Sequence, residues 1–506
     1  MTPRHGSLHL GRYGWLAAIA VAYLYVFPYF PRIHSANELP RVYLVKAIVE
    51  DHTFAIDRGV DRWGGTADMA PWQGHQYSNK APGSSLIAVP VYAVVSWIGG
   101  EPSLAVSLWI ARITSGVIPA LLFLWLLSGF LERFVPDEAT RRLLLIAYAL
   151  GSMAMTYSIL YFSHQLAAVC IGSAWILAID VAERRRGMLA IAAAGALAGA
   201  APLVDYQAAF AGVPIVIYLI WKLRAWPRRE VLRLLLVASA AAAVPIVVLL
   251  WYHSVCFGSP WKTGYDNSVS FAHFHSQGFL GMTSLRWEAF YGSLFRPDNG
   301  LFVLAPWWLL AIPGGVVLWR RGDRATVLAL AGVVLVFVLF VSSINFWRGG
   351  WNVGPRYITA MLPFMLPLVG VALGSLRGRP WLLGVACGTI VSAVIIYCLS
   401  SATFPYWPDS MPDPLYEVTF RLLGDHAVAP NLGQAVGATG LLSIAPFVLG
   451  ISALLGWAIQ RVAGWRGLAS AVVVGIAITM AFGLVSHGGA VADRGYMQTV
   501  RPAVAQ

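Results

Sequence analysis

Again and again this chain runs for about twenty residues without a charged side chain, as in 143–162, 325–344, 357–375 and 441–460. Lipid offers backbone amides no partner, so a segment that spans it must be a helix or part of a closed barrel. These runs lack the in-out alternation of barrel strands, which leaves helices. The chain is 58% hydrophobic and only 11% charged, far from a soluble domain. An all-α polytopic membrane protein is the expected fold class.

The candidate spans are 13–31, 104–131, 143–162, 165–182, 188–204, 206–221, 232–252, 299–319, 325–344, 357–375, 380–399, 441–460 and 467–486. The run 84–100 is ambiguous, because it is short, contains Pro90 and ends in a Gly pair. Charge resolves it. With the N-terminus (Arg4, Arg12) in the cytoplasm and 84–100 not crossing, six basic connectors all fall inside. They hold Arg133/Arg141/Arg142, Arg184–Arg186, Lys222/Arg224/Arg228/Arg229, Arg320/Arg321/Arg324, Arg377/Arg379 and Arg461/Arg466. If 84–100 crosses, every one of them moves outside. About thirteen spans are therefore expected, with 84–100 as a juxtamembrane helix on the outer side. The net charge of +12 is then a topology signal and not a nucleic-acid footprint.

Two regions follow. Residues 1–400 form a transmembrane module that includes a long outer loop, 32–103. Residues 401–506 hold a Pro-rich outer loop and two further spans. The N-terminus shows no small-residue cleavage site and reads as an uncleaved signal-anchor. Of the four cysteines, Cys170, Cys387 and Cys398 lie in apolar runs and Cys256 at a span's edge, so no disulfide framework is implied. No nucleotide-binding glycine motif is present. No internal repeat supports a transporter built from duplicated halves. The chemistry expected of such a chain lies where its ionisable groups gather, and these gather on the side read as outer.

Several residues there are candidates. Glu38, just beyond the first span, could take a proton from a hydroxyl, or simply pair with Arg41 one helical turn on. Asp57 and Asp61 read as turn or solvated acids, while Asp68 leads into GHQYSNKAPG, where His75 and Tyr77 add polar groups. Lys80 stands where the chain re-enters the interface and could hold a phosphate or a lipid headgroup. His164 and Asp205 sit at the outer ends of spans, where an ionisable group is a functional candidate and a helix cap is the plain alternative. Lys262, Tyr265 and Asp266 could line a cleft. Arg348 and Arg356 frame the Gly-rich turn WRGGWNVGPRY, which suits an anion and a sugar face. His273 and His275 are spaced poorly for a metal on a helix, and no metal or cofactor is expected.

The pattern as a whole resembles membrane glycosyltransferases of the GT-C superfamily, in particular the family 39-like group of protein O-mannosyltransferases and lipid A aminoarabinose transferases. Asn37-Glu38 stands where that group has Asp-Glu, and YSNKAPGSSLIAVPVY is similar to its Lys/His-Pro-Pro juxtamembrane segment. FGSPWKTGY and WNVGPRYITAMLPF resemble stretches of bacterial members, so that the likeness covers about the first 370 residues. The resemblance implies inverting transfer of a sugar from a polyprenyl-phosphate donor to a hydroxyl of a lipid, glycan or protein. It places that transfer at the outer face of a bacterial inner membrane. Two departures stand out. The family's catalytic Asp is Asn37 here, which leaves Glu38 or Asp68 as the base, and a second family Asp is replaced by His164. For such a transfer the residues expected to bind substrate are His75, Tyr77, Lys80, His164, Asp205, Lys262, Tyr265, Arg348 and Arg356. A transporter or flippase of an envelope precursor is the main alternative, and a non-catalytic assembly partner is a third.

Overall fold

The computed structural model describes residues 10–33, 35–270, 272–275, 277–278 and 281–504. Arg4, on which the sidedness of the N-terminus leans, lies outside the described residues. Each of the thirteen segments expected to cross contains described helix, but 26–31 lies beyond the helix Leu10–Tyr25, and 299–319 is divided among Leu301–Leu304, Pro306–Leu310 and Ala311–Arg320. Eight described helices are individually long and apolar enough for a bilayer, and a ninth is formed if Glu138–Leu150 and Met153–Ile159 count as one span bent by 56°. That bend has an identifiable cause. Gly151 ends the first helix, Ser152 caps the second at Ala154 N, and the Gly151 carbonyl accepts from Trp307 Nε1 at 2.8 Å. Gly440–Leu484 is likewise two helices, broken at Gly464, whose φ of +70° suits glycine.

Small residues let the helices approach closely. A Cβ at Gly388 would lie 2.6 Å from the Val474 side chain, and one at Gly195 would lie 2.1 Å from the Ala238 carbonyl oxygen. Ser163–Ala182 is buried over nearly its whole length, so the bundle is arranged around it. His164, the second residue of this helix, is therefore buried where the helix meets the polar loop.

Charges separate to two ends. At one end the basic connectors join one another: Arg133 pairs with Asp180 and Glu183, Lys222 with Glu183, Arg184 with Glu230, and Arg377 with Asp137. At the other end the polar loop 32–103 folds into three helices, Leu39–Lys46, Asp57–Trp63 and Gly83–Gly99, and one hairpin. Gly83 packs against Leu203 and Val204 next to Asp205. Just past the other end of the same helix, Glu101 pairs with Lys46, Arg58 and Arg62 of the loop. Both ends of Gly83–Gly99 thus meet the polar side of the molecule.

Two features differ from the sequence expectation. The loop contains a two-stranded antiparallel sheet, Met69–Trp72 with His75–Ser78, so the described chain is not wholly helical. The Pro-rich segment after residue 400 is packed and not loose. Phe404, Trp407 and Met411 are fully buried, and Phe27 N donates to the Pro430 carbonyl at 2.7 Å.

Candidate functional site

The hairpin builds the first half of the site. Gln73 and Gly74 both take positive φ (49° and 86°), which gives a two-residue turn whose twist matches the strands. The register pairs Met69 with Ser78, so the next residues outward, Asp68 and Asn79, lie side by side, and Asn79 N donates to the Asp68 carbonyl at 3.2 Å. Lys80 Nζ then reaches Asp68 Oδ1 at 2.8 Å, with both side chains buried. Asn79 Nδ2 approaches the same oxygen at 3.4 Å, so neither contact claims Oδ2. The Tyr265 ring stands 5.3 Å from the Lys80 ammonium. Burial lowers the affinity of Lys80 for its proton and nearby Arg41 and Arg356 lower it further. Asp68 opposes them, and the outcome is a pKa of about 8.

Two arginines complete a cation cluster. Arg41, one turn into the loop's first helix, donates to the Asn37 carbonyl (2.5 Å), to Asn37 Oδ1 and to Ser163 Oγ (3.0 Å). Arg356 opens the helical segment Arg356–Ser375 beneath the Gly-rich turn, with its guanidinium 5.5 Å from the Phe162 ring. Gly349 allows this approach: a Cβ there would lie 2.6 Å from Arg356 Nε. The Nε atoms of both arginines are buried without a hydrogen-bond partner. Opposite them, His164 Nδ1 meets Asp205 Oδ2 at 2.7 Å, and Gln207 Nε2 supports the same oxygen at 3.2 Å. His164 Nε2 is also buried without a partner.

These groups line two adjoining cavities. The larger, about 410 Å³, is walled by Asp68, Lys80, Arg356, Trp351 and Asp409 among others. The smaller, about 60 Å³, holds Arg41, His164, Asp205 and Gln207 and reaches the apolar Phe340 and Ile344. Asn37, Lys80, Tyr265, Arg356 and Tyr357 face both.

Of the residues expected from sequence, Asp68, Lys80, His164, Asp205, Tyr265 and Arg356 come together here. Five do not. Glu38 is a correction: its carboxylate accepts from Arg112 Nε (2.9 Å) and Nη2 (2.8 Å), Tyr406 OH (2.6 Å) and Tyr161 N (2.5 Å). A buried carboxylate with four donors has the partners of a structural anchor, and Glu38 lines neither of the two cavities. Its partner is Arg112 of the second span, not Arg41. His75 pairs with Asp57 at the exposed hairpin tip, and Tyr77 packs edge-on against Phe257. Lys262 lies exposed, with its ammonium 4.8 Å from the Trp72 ring. Arg348 is spent on Asp298 and Asn299, where it braces the Gly-rich turn. Asp266 closes a capping box with Thr263.

Sequence reasoning missed Arg41, Asn79, Gln207 and Tyr357 as site residues. Only Arg41 left a signal, as a charged residue four positions from Asn37 in a chain where charge is scarce.

A bundle of apolar helices topped by a polar loop, with a buried cation cluster at their junction, is the arrangement of a multi-pass membrane protein. No protein-family model matches the sequence, and no curated protein is similar to it. Solved structures do share its fold. ArnT from Cupriavidus metallidurans in the apo state superposes with a TM-score of 0.54 at 16% identity, over 97% of this chain and 77% of that one. The same protein bound to undecaprenyl phosphate gives 0.54 at 16% identity, over 98% and 79%.

Proposed function

We propose that the protein is a membrane glycosyltransferase that moves a sugar from a polyprenyl-phosphate donor to a hydroxyl of a lipid, glycan or protein. The observation that carries this reading is the convergence of buried Lys80, Arg41 and Arg356 on cavities at the edge of the apolar bundle. Two of their nitrogens have nothing to donate to. Buried cations with two unpartnered N–H groups suit an anion that arrives with a lipid tail, and ArnT, which shares the fold, binds undecaprenyl phosphate.

In this reading the acceptor hydroxyl attacks the anomeric carbon from the side opposite the phosphate. The bond from that carbon to the phosphate oxygen breaks, and its electron pair stays on the phosphate. The three cations stabilise the charge that develops there. The hydroxyl's proton passes to a carboxylate, and we assign this to Asp68, which lines the larger cavity beside Lys80 and Arg356 and whose Oδ2 is unclaimed by Lys80 or Asn79. The bilayer and the apolar exit at Phe340 and Ile344 orient the donor tail.

The topology belongs to the same proposal. The chain crosses a bacterial inner membrane thirteen times with its N-terminus in the cytoplasm, Gly83–Gly99 lies along the outer surface, and the cavities open on the periplasmic face.

The test is mass analysis of envelope glycans and lipid-linked sugars in cells that carry wild type, Asp68→Asn or Lys80→Ala at equal abundance. A glycan modified only in wild type, with its lipid-linked donor accumulating in both variants, is expected. Unchanged products in both variants would discard the site. Lipid scrambling by the purified protein without any product would favour a flippase.

A further inference from the structure

The His164–Asp205 pair is not needed to bind the donor or to take the hydroxyl's proton, yet it is a largely enclosed ionisable pair at the site. Asp205 Oδ2 accepts from His164 Nδ1 at 2.7 Å and from Gln207 Nε2 at 3.2 Å, with Ser163 Oγ at 3.5 Å. The carboxylate therefore fixes the ring's proton on Nδ1 in the neutral state. Nε2 then presents a lone pair, buried and unpartnered, to a cavity of about 60 Å³. The groups around the ring come from every neighbouring element. Arg41, Lys80 and Arg356 bring positive charge, Asp205 brings negative charge, and Tyr157, Tyr265 and Tyr357 are neutral phenols.

Charge balance gives the pair a task. Three cations face the small cavity against Asp205, and Lys80 is already paired with Asp68. One positive charge remains while His164 is neutral. A phosphodiester carries one negative charge and balances it. A phosphomonoester, which is the lipid left after transfer, carries two. In a buried cavity the second charge needs a partner. Nε2, protonated, is both the charge and the donor that would meet it.

We propose that His164, oriented by Asp205, is protonated when the lipid phosphate in the cavity carries two negative charges and neutral when it carries one. The inference rests on the polyprenyl-phosphate reading above and deepens it. His164 makes the site distinguish spent carrier from loaded donor. Asp205 is a positioning residue, because it acts through the imidazole.

The experiment measures the affinity of the purified protein for two lipids, undecaprenyl phosphate and its methyl phosphodiester, from pH 6 to 9. It also records the ³¹P shift of the bound monoester. Wild type is expected to prefer the monoester by about tenfold or more at pH 6–7, to hold it as the dianion, and to lose that preference as pH rises. His164→Asn is expected to bring the ratio close to one, and Asp205→Asn to lower it. A merely structural role for His164 would weaken both lipids alike and keep the ratio. Loss of charge on Lys80 would also act on both alike. If both lipids bind and the ratio is the same in wild type and His164→Asn, this inference is overturned while the donor reading stands. If neither lipid binds wild type, both fall.

Discussion

At the scale of single residues, burial decides what each charge can do. Lys80 holds its proton with a pKa of about 8, so its positive charge is present below that pH and lost as pH rises through it. Donor affinity and transfer should therefore decline above about pH 8, and Lys80→Arg should move that limb upward, because a guanidinium stays charged. A pH–rate profile of both proteins checks this, and an unmoved limb would show that Lys80 does not set it. Glu38 makes the opposite case. Glu38→Gln leaves Arg112 uncompensated in the core and should cost about 3–5 kcal/mol, read as a lowered Tm. The double change Glu38→Gln with Arg112→Met should recover most of it. A large loss of transfer with unaltered Tm would return Glu38 to the catalytic site. Lys80, Asp68, Arg356, His164 and Asp205 were legible in the sequence because ionisable groups are scarce and these sit at span ends or in the polar loop. Glu38 was misread because its true partner lies 74 residues away inside an apolar run. No local spacing reports such a contact.

At the scale of elements, the hairpin and the turn after residue 345 set the distances. Gly264 lies so close to the hairpin's end that a Cβ would stand 2.4 Å from Asn79 Cα. The obstacle is backbone, so Gly264→Ala must push Asn79 and Lys80 away from Asp68. The expected result is weaker binding of undecaprenyl phosphate, by about tenfold, with helix content by circular dichroism unchanged. Equal affinity would mean that the Asp68–Lys80 spacing is not critical. The helices were legible because apolar runs of that length admit one solution in lipid. The hairpin was not. Its strands have four residues each, one contains Pro71, and its turn pair, Gln73-Gly74, is not one of the strong hairpin signals.

At the scale of the whole molecule, the account depends on two ends of different character. The basic connectors meet one another at one end and the polar loop, with both cavities, forms the other. All four cysteines are buried, so introduced cysteines can be labelled over a low background. His75→Cys, at the exposed hairpin tip, should react with an impermeant maleimide in intact spheroplasts. Arg185→Cys, in a basic connector, should react only after permeabilisation. The reverse pattern would invert the topology and put the site in the cytoplasm. The proposed sidedness comes from charge, because connector arginines are a statistical record of insertion, and the labelling experiment tests it. The meeting of loop, Gly-rich turn and span ends around one cation cluster was not readable, since it is a property of packing over hundreds of residues.

The central claim is that Lys80, Arg41 and Arg356 hold the phosphate of a lipid carrier. It is tested most directly by equilibrium binding of undecaprenyl phosphate to purified wild type, Lys80→Gln and Arg356→Gln, each confirmed folded by its melting transition. Saturable binding to wild type, weakened by about 100-fold in either variant, is the predicted result. Equal binding by all three proteins, or none by wild type, would contradict it.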